Sequence, residues 1–361
     1  MLGSNCIMPT DQTPANCPAC HTPAHETLWA TTAVEAAQAF LRVESSPIQY
    51  AQLAQHIESL WGQPTCTILR CQACGLGFAH PFVGGDARFY NLAYPGTPGY
   101  PRNKWEFRQS IGDVRSKGHV PLAQARCLEV GSGVGNFLVQ LAAQGAQPGN
   151  ITALEYNEQS VRVLRERGFN GQAIDIRCLS TVESFDHIFM FQVVEHMDSL
   201  DEVFAQVAKL LGPKGSVYIA MPNQTRLTFN EQHGALLDMP PNHISRWTRL
   251  AVEKLVARHG LVVHAFEVEA GALGKLIKQD LSDYTLRRSM TPGTLASRVY
   301  RPEQGMKRKL RLAAAASVYA LRRWPLWLRH AGQVHELGGS IWAKIGHDTA
   351  TATLRTVAPD A

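Results

Sequence analysis

Residues 127–136 read "CLEVGSGVGN". Whether this glycine cluster is a ligand-holding turn or only a tight loop between strand and helix decides the fold. "RCLEV" (126–130) is a short run of buried-strand type, and "NFLVQLAAQG" (136–145) has the apolar spacing of a helix ending at Gly145. Between them stand Gly131, Ser132, Gly133 and Gly135, where short side chains let the chain turn sharply and bring backbone N–H groups near a ligand. Glu129 lies just ahead. Glu155 closes the next strand, "NITALE", where an acid can take both hydroxyls of a ribose.

Working outward, strand and helix alternate. The helix "NEQSVRVLRERG" is followed by the strand "FDHIFMFQ", the helix "SLDEVFAQVAKLLGPKG" and the strand "SVYIAMPN". Later come the helix "WTRLAVEKLVARHG", the strand "LVVHAFEVE" and, at 338–346, "GGSIWAKIG" as a returning last strand. The pattern predicts an α/β fold, a mostly parallel sheet with helices on both faces. Two ligand classes suit the glycine turn, a dinucleotide and S-adenosyl-L-methionine. The pyrophosphate pattern G-x-G-x-x-G is broken, because the third glycine comes one residue early and Asn136 follows it. Glu129 would repel phosphates and attract the amino end of a methionine, so the cationic ligand is favoured.

The stretches "LEVGSGVGNFL", "ALEYN" and "FDHIFMFQVVEHMDSLDEVFAQVAKLLGPKGSVYIAMPN" occur in that order. Together they resemble the successive motifs of class I S-adenosylmethionine-dependent methyltransferases, in the branch of the ubiquinone-biosynthesis O-methyltransferases. The resemblance implies a Rossmann-like seven-stranded sheet whose last strand is antiparallel, with the donor at the carboxyl ends of the first strands. Position by position, it implies that Glu129, Gly131, Ser132, Gly133, Gly135 and Asn136 surround the methionine. Glu155 would hold the ribose, Tyr156 would pack on the adenine, Asp175 would meet the adenine amino group and Gln192 would lie beneath the sulfonium.

Methyl transfer from a sulfonium is an in-line displacement, in which the protein aligns acceptor and methyl. An alcohol acceptor must also lose its proton, so a histidine or carboxylate base is expected. "VVEHM" offers Glu195 and His196 just past a strand end, and "DMPPNHISRW" offers His243 in a loop that lies near the acceptor in similar proteins. Each histidine has a local structural reading as well, as a cap or a turn residue. The ubiquinone-type relatives carry another Glu where this chain has Gln192, and can bind a divalent metal there. With one anionic ligand missing, no catalytic metal is expected. Tyr90, Tyr94, Tyr100 and Trp105, in an aromatic connector rich in Gly and Pro, are candidates for a lid or for ordinary core packing.

Two C-x-x-C pairs, Cys17/Cys20 and Cys71/Cys74, have the spacing of knuckles that converge on a tetrahedral, structural Zn2+. The second pair is similar to the second knuckle of a zinc ribbon, and residues 31–62 between them read as helical. Cys127 and Cys178 are expected in the core. The N-terminus lacks a secretory pattern, and no apolar run reaches the roughly 18–20 residues of a membrane span, so a cytoplasmic chain with reduced thiols is expected.

The net charge of +5 is unevenly placed, with thirteen Lys/Arg against three Asp/Glu in residues 273–332. There, "MKRKLRLAAAASVYALRRWPLWLRH" has helical spacing, with Met306, Leu310, Ala313, Ala314, Leu321 and Trp324 on one face. Arg308, Arg311, Arg322 and Arg323 fall opposite. This basic helical insertion reads either as a peripheral contact with the anionic inner face of a membrane or as a helix packed on the sheet or in a homodimer. Aromatic residues do not interleave with the basic cluster, so a nucleic acid partner is not expected.

The expected organisation is a zinc-ribbon-like domain with a helical insertion (1–85) and an aromatic connector (86–124). The methyltransferase domain would follow (125–272 and 333–348), interrupted by the basic insertion (273–332), with a flexible tail (349–361). Zinc-knuckle methyltransferases of this layout resemble enzymes of glycan and nucleotide-sugar pathways. The expected reaction is therefore O-methylation of a hydroxyl on a carbohydrate or small-molecule acceptor. Sugar C-methylation and a non-catalytic binding module are the alternatives.

Overall fold

The computed structural model describes residues 15–23, 25–41, 43, 46–94, 101–233, 238–291, 293–299 and 306–348. The tail at 349–361, Tyr100, and the side chains of Met306, Arg308 and Arg311 lie outside the described residues.

The N-terminal part runs β1 (His25–Thr32), α1 (Ala33–Gln38), α2 (Pro47–Trp61), β2 (Thr65–Cys71) and β3 (Gly77–His80). Residues 31–32, expected to be helical, end β1 instead. Thr32 is extended and its side chain accepts from the Glu35 N–H, while Glu35 reaches back to the Thr32 N–H. This capping box starts the helix at residue 33. Next come α3 (Ala87–Ala93) and α4 (Trp105–Lys117).

The alternating region then gives β4 (Cys127–Val130), α5 (Asn136–Ala143), β5 (Ile151–Leu154), α6 (Glu158–Glu166) and β6 (Asn170–Gln172). It continues with β7 (Phe185–Phe191), α7 (Leu200–Leu210), β8 (Leu211–Pro222) and α8 (Gln224–Gln232). The rest is β9 (Ser245–Arg246), α9 (Arg249–Ala257), β10 (Leu261–Val268), α10 (Leu273–Met290), α11 (Leu295–Val299), α12 (Met306–His330) and β11 (Ser340–His347).

The larger sheet has seven strands in the order β10-β11-β8-β7-β4-β5-β6. Strands β8, β7, β4, β5 and β6 are parallel, and β11 is antiparallel to both of its neighbours. "GGSIWAKIG" therefore does return as the last strand. β7 reads "FDHIFMF" and is buried at all positions but one, because a central parallel strand is covered on both faces. One face packs Val203, Phe204 and Val207 of α7 and Val252 and Leu255 of α9 onto the sheet. The other packs Phe107 of α4, Phe137 and Leu141 of α5, and Leu164 of α6. Each such side chain contributes about 1.5–3 kcal/mol of burial free energy. Cys127 is fully buried as expected, but Cys178 is exposed, since its short 3-10 turn leads away from the sheet edge.

The second sheet has the order β1-β2-β3-β9. Its last strand comes from the loop after α8, so the N-terminal region is stitched into the later half of the chain. The insertion helix α12 spans the segment expected from its periodicity. It packs against α10 and α11, not against the sheet, and uses a different face from the apolar one read in the sequence. Tyr319 meets Tyr284 edge-on at 5.2 Å, Trp327 donates to Asp280 at 2.7 Å and Arg323 pairs with Asp280. Leu310 (65% exposed), Leu321 (80%) and Trp324 (55%) face outward.

Candidate active site

At the end of β4 the chain needs three left-handed residues, Gly131 (φ 72°), Gly133 (φ 53°) and Gly135 (φ 77°). A side chain is excluded twice over at Gly131, where a Cβ would fall 2.9 Å from Val193 Cγ2, and at Gly135, where it would fall 2.7 Å from Leu164 Cδ2. The turn is fixed to β5: the Gly131 and Ser132 N–H groups donate to Leu154 O at 2.9 and 3.1 Å, and Ser132 Oγ donates there at 3.3 Å. Asn136 opens α5, and its side-chain amide donates to Pro101 O at 3.4 Å.

Glu155 accepts from the Gly133 N–H at 2.8 Å with one oxygen and from the Asn157 N–H at 3.1 Å with the other, which aims its carboxylate over the turn. Each oxygen keeps a further lone pair for a hydroxyl. Glu129 is buried, and its Oε2 has no hydrogen-bond partner among the described residues. Burial pushes its pKa well up, against the Lys104 charge. An orphaned buried carboxylate beside the glycine turn fits the ammonium group of a methionine.

Tyr156, two-thirds exposed, stands beside the site and donates its hydroxyl to Asp175. Both Asp175 oxygens are also taken by Arg177, at 2.9 and 2.8 Å. Burial opposes ionisation of Asp175, but the Arg177 and Tyr156 hydrogen bonds outweigh it and hold the carboxyl at about 2. An adenine amino group meeting Asp175 would share it with Arg177. Gln192 has a left-handed backbone (φ 55°), and its amide donates to Glu106 Oε1 at 3.3 Å and Ser340 Oγ at 3.2 Å, tying α4 to β11 beneath the site.

Past the end of β7, a short 3-10 turn carries Glu195 and His196, and the loop before β9 carries His243. The structure brings all three together, with one potential ligand atom from each within 4.8 Å of the others. His196 Nδ1 lies 2.6 Å from Asn242 O. A carbonyl only accepts, so Nδ1 carries the proton and Nε2 presents its lone pair. Burial, with the nearby His243 adding to it, pushes His196 down to about 3, so the ring is neutral at physiological pH. Nε2 is 4.0 Å from Glu195 Oε1. Glu195 is fully buried with neither oxygen hydrogen-bonded, and burial lifts its pKa to about 7.

His243 Nδ1 lies 2.8 Å from Asp238 Oδ1, in a contact whose angle falls short of a good hydrogen bond. Burial works to lower the His243 pKa, but Asp238 and the Glu195 charge outweigh it and raise it. Glu195, His196 and His243, one carboxylate and two imidazoles, also form a donor set suited to a divalent cation.

Four participants were not foreseen in the sequence: Asp238, Asn242, Tyr90 as a partner of His196 (3.2 Å), and Arg226. Asp238 and Asn242 sit in the same "DMPPNHISRW" stretch as His243, which was the available signal. Of the aromatic lid candidates, Tyr90 reaches His196 and stacks near Tyr94 (6.2 Å), whereas Trp105 packs against the core beside α4. Beyond Asp238 opens a cavity of about 280 Å3, lined by Arg226, Asn230, Asp238, Glu269, Lys275 and Asp283 among others.

Away from this site, Cys17 Sγ lies 3.6 Å from Cys74 Sγ and Cys20 Sγ 3.5 Å from Cys71 Sγ, with all four thiols within 4.8 Å of one another. Zn–S bonds of about 2.3 Å in a tetrahedron require sulfur separations near these values.

Residues 106–265 match the family model of a methyltransferase domain. These residues thus form a methyltransferase domain of the Rossmann-like, S-adenosylmethionine-dependent type. The ubiquinone biosynthesis O-methyltransferase of Xylella fastidiosa (strain 9a5c) is 30% identical over 118 residues, 30% of this chain and 47% of that protein. That of Dechloromonas aromatica (strain RCB) is 24% identical over 155 residues, 37% of this chain and 66% of that protein. The chain thus spans about half the length of the first of these relatives. A crystal structure of the magnesium protoporphyrin IX methyltransferase of Synechocystis PCC 6803 with bound S-adenosylhomocysteine superposes with a TM-score of 0.40. Its identity is 11%, over 67% of this chain and 82% of that one.

Proposed function

We propose that the protein transfers the methyl group of S-adenosylmethionine to a hydroxyl of a sugar or another small polar metabolite. The observation that carries this is the placement of an unprotonated, partly exposed His196 Nε2 just past the end of β7, the strand beside β4 and its glycine turn. Bound S-adenosylmethionine supplies an electrophilic methyl. Glu129 pairs with its ammonium group and Glu155 with its ribose hydroxyls. His196 Nε2 takes the acceptor's proton, and ionised Glu195, 4.0 Å away, stabilises the imidazolium that results.

The cavity beside Asp238, lined by five charged side chains and no aromatic ring, supports a hydrophilic acceptor over a flat apolar one. The same base would serve a carbon acid, so the product needs its methyl located. The test is release of S-adenosylhomocysteine against a panel of nucleotide sugars, with the methyl carbon shift of the product read by NMR. No turnover and no heat of donor binding on folded protein would end the reading.

The four-thiol cluster is read as a structural zinc site, checked by metal content. α12 is read as a peripheral contact with an anionic membrane. Leu310, Leu321, Trp324 and Leu328 are exposed along one stripe, and Arg322 and Arg329 flank it in a segment with a charge balance of +10. Among the described residues no helix is long and apolar enough to cross a membrane. A second copy covering the same stripe is the competing outcome, seen as a dimer that does not pellet with vesicles.

A further inference from the structure

The cavity beside Asp238 lies between the first turn of α8, the start of α10 and the 338–339 turn that enters β11. Its lining holds two cations, Arg226 and Lys275, and three acids, Asp238, Glu269 and Asp283, and each acid has a closer partner than Arg226. Glu269 is committed to Lys275 (3.3 Å) and to the Gly339 N–H (3.0 Å). Asp238 faces His243 at 2.8 Å. Asp283 takes both of its contacts from the Gln279 amide (3.2 Å each), and burial pushes its pKa up, towards the neutral form.

Arg226 alone has no ion pair, and Asp283, Asp280 and Asp238 act on it only from beyond contact, too weakly to offset its burial. It is only 8% exposed, it lies 5.7 Å over the Phe229 ring, and Nη1 donates to Leu337 O at 3.4 Å. Among the described residues no carboxylate lies within ion-pair distance of it. A buried guanidinium without an anion is costly, and its planar fork matches a phosphate or a carboxylate in two parallel hydrogen bonds.

A second observation points the same way. α10 is 18 residues long, and its N-terminal residues Ala272, Lys275 and Leu276 line the cavity. Its N-cap is Ala272, which offers no side-chain cap, and its first turn holds no acidic residue. The N–H groups of that first turn have no intrahelical acceptor, and the helix dipole favours negative charge there. Lys275 in this turn is a charge the dipole disfavours, held by Glu269.

Resting on the methyltransferase reading, we propose that this cavity binds an anionic group of the methyl acceptor, a phosphate or a carboxylate. Arg226 and the uncapped N-terminus of α10 clamp it, with the rest of the acceptor reaching past Asp238 to the His243–His196 cluster. The acceptor class is thereby narrowed to sugar phosphates, nucleotide sugars or sugar acids. A neutral sugar would leave Arg226 unpaired.

The full chain, with and without S-adenosylhomocysteine, is titrated calorimetrically with inorganic pyrophosphate, with D-glucuronate and with D-glucose as the neutral control. At least one anion is expected to bind and glucose is not. Binding of pyrophosphate alone assigns a phosphoryl group, and binding of glucuronate alone a carboxylate. Arg226→Met is expected to weaken the anion at least tenfold, and Arg226→Lys to recover part of the loss. Ala272→Asp places a capping carboxylate at an N-cap already extended (φ −125°, ψ 133°). It is expected to raise the thermal midpoint while abolishing anion binding, an outcome that a merely structural Arg226 would not produce. Failure of both anions to bind, or unchanged anion affinity in Arg226→Met and Ala272→Asp, overturns the proposal. Absence of heat with S-adenosylhomocysteine would instead sink the methyltransferase reading, while the donor-free titrations would still decide whether the anion site exists.

Discussion

Replacing Glu195 with Gln should trade activity for stability, with the stability gain growing from pH 4.5 to about 7 and the loss of activity appearing as pH rises through about 7. The carboxylate and the His196 Nε2 are 4.0 Å apart. At an effective dielectric constant near 20, a unit pair at that distance attracts by about 4 kcal/mol, a ceiling of about a thousandfold in rate when the imidazolium forms only in the transition state. His196, at about 3, stays a neutral base throughout the working range, so the part of the pH dependence that Glu195→Gln removes belongs to Glu195, at about 7, while the raised titration of His243 remains in both proteins. kcat/KM of the wild type should therefore rise as pH increases through about 7. Glu195→Gln should lose about 100- to 1000-fold at pH 8.5, little at pH 5.5, and the rise with it.

Stability moves the other way. The carboxyl titrates at 4.5 ordinarily and at about 7 when folded. Below pH 4.5 both states hold the proton and no penalty exists. The penalty grows between 4.5 and 7, and above 7 it reaches about 3 kcal/mol. Glu195→Gln should thus be more stable than wild type by up to that amount at pH 8.5 and equal to it near pH 4.5, measured by urea denaturation at both values. A pH-independent loss of activity, or a variant less stable at pH 8.5, would refute the assignment of Glu195 as a buried charge held for the base.

Glu155→Ala removes the partner of the Gly133 N–H and, under the proposed donor site, both acceptors for the ribose hydroxyls. Hydrogen bonds to a charged group are worth about 1.5–3 kcal/mol each, so donor affinity should fall about 100-fold or more by calorimetry, with near-native circular dichroism. Wild-type protein should carry one zinc per chain by mass spectrometry, and Cys71→Ser should abolish it and lower the thermal midpoint. Leu321→Glu, at a site 80% exposed, should leave stability unchanged and abolish co-sedimentation with phosphatidylglycerol vesicles. Wild-type protein that ignores such vesicles at low salt would end the membrane reading.

The parts of the fold and site that were legible in the sequence are those with a local signature. Three glycines within five residues marked the β4 turn, alternating apolar runs marked β7 and β8, and periodicity bounded α12 at 306–330. β6 escaped because Asn170-Gly171-Gln172 is a three-residue edge strand with no apolar alternation, held by its register with Thr152–Leu154. The outward direction of Leu321 and Trp324 escaped because periodicity identifies a face without saying what covers it. The pairing of His196 with His243 and Tyr90 depends on contacts across 47 and 106 residues of chain, which leave no local pattern.

The N-terminal region bears on the catalytic cluster through one residue. Ala79 in β3 donates to Ile244 O at 2.8 Å, and the Ile244 N–H donates to Glu195 O at 2.9 Å, so Ile244 is hydrogen-bonded on one side to the four-stranded sheet and on the other to the turn carrying Glu195 and His196. β9 follows at once and pairs Ser245 with Phe78 and Arg246 with Gly77. His243 immediately precedes this clamp, and its orientation is thus set by strands that Cys71 and Cys74 anchor. Leu69, Phe78 and the buried thiols share one apolar core with Trp247 and Val252. Protein interiors pack at crystal-like density, so a shift in the knuckles reaches the His243 ring instead of being absorbed between domains. Under the proposed function, the four-thiol cluster would position His243 as the acceptor-side base while lying outside the active site, so Cys71→Ser is expected to lower kcat as well as the thermal midpoint.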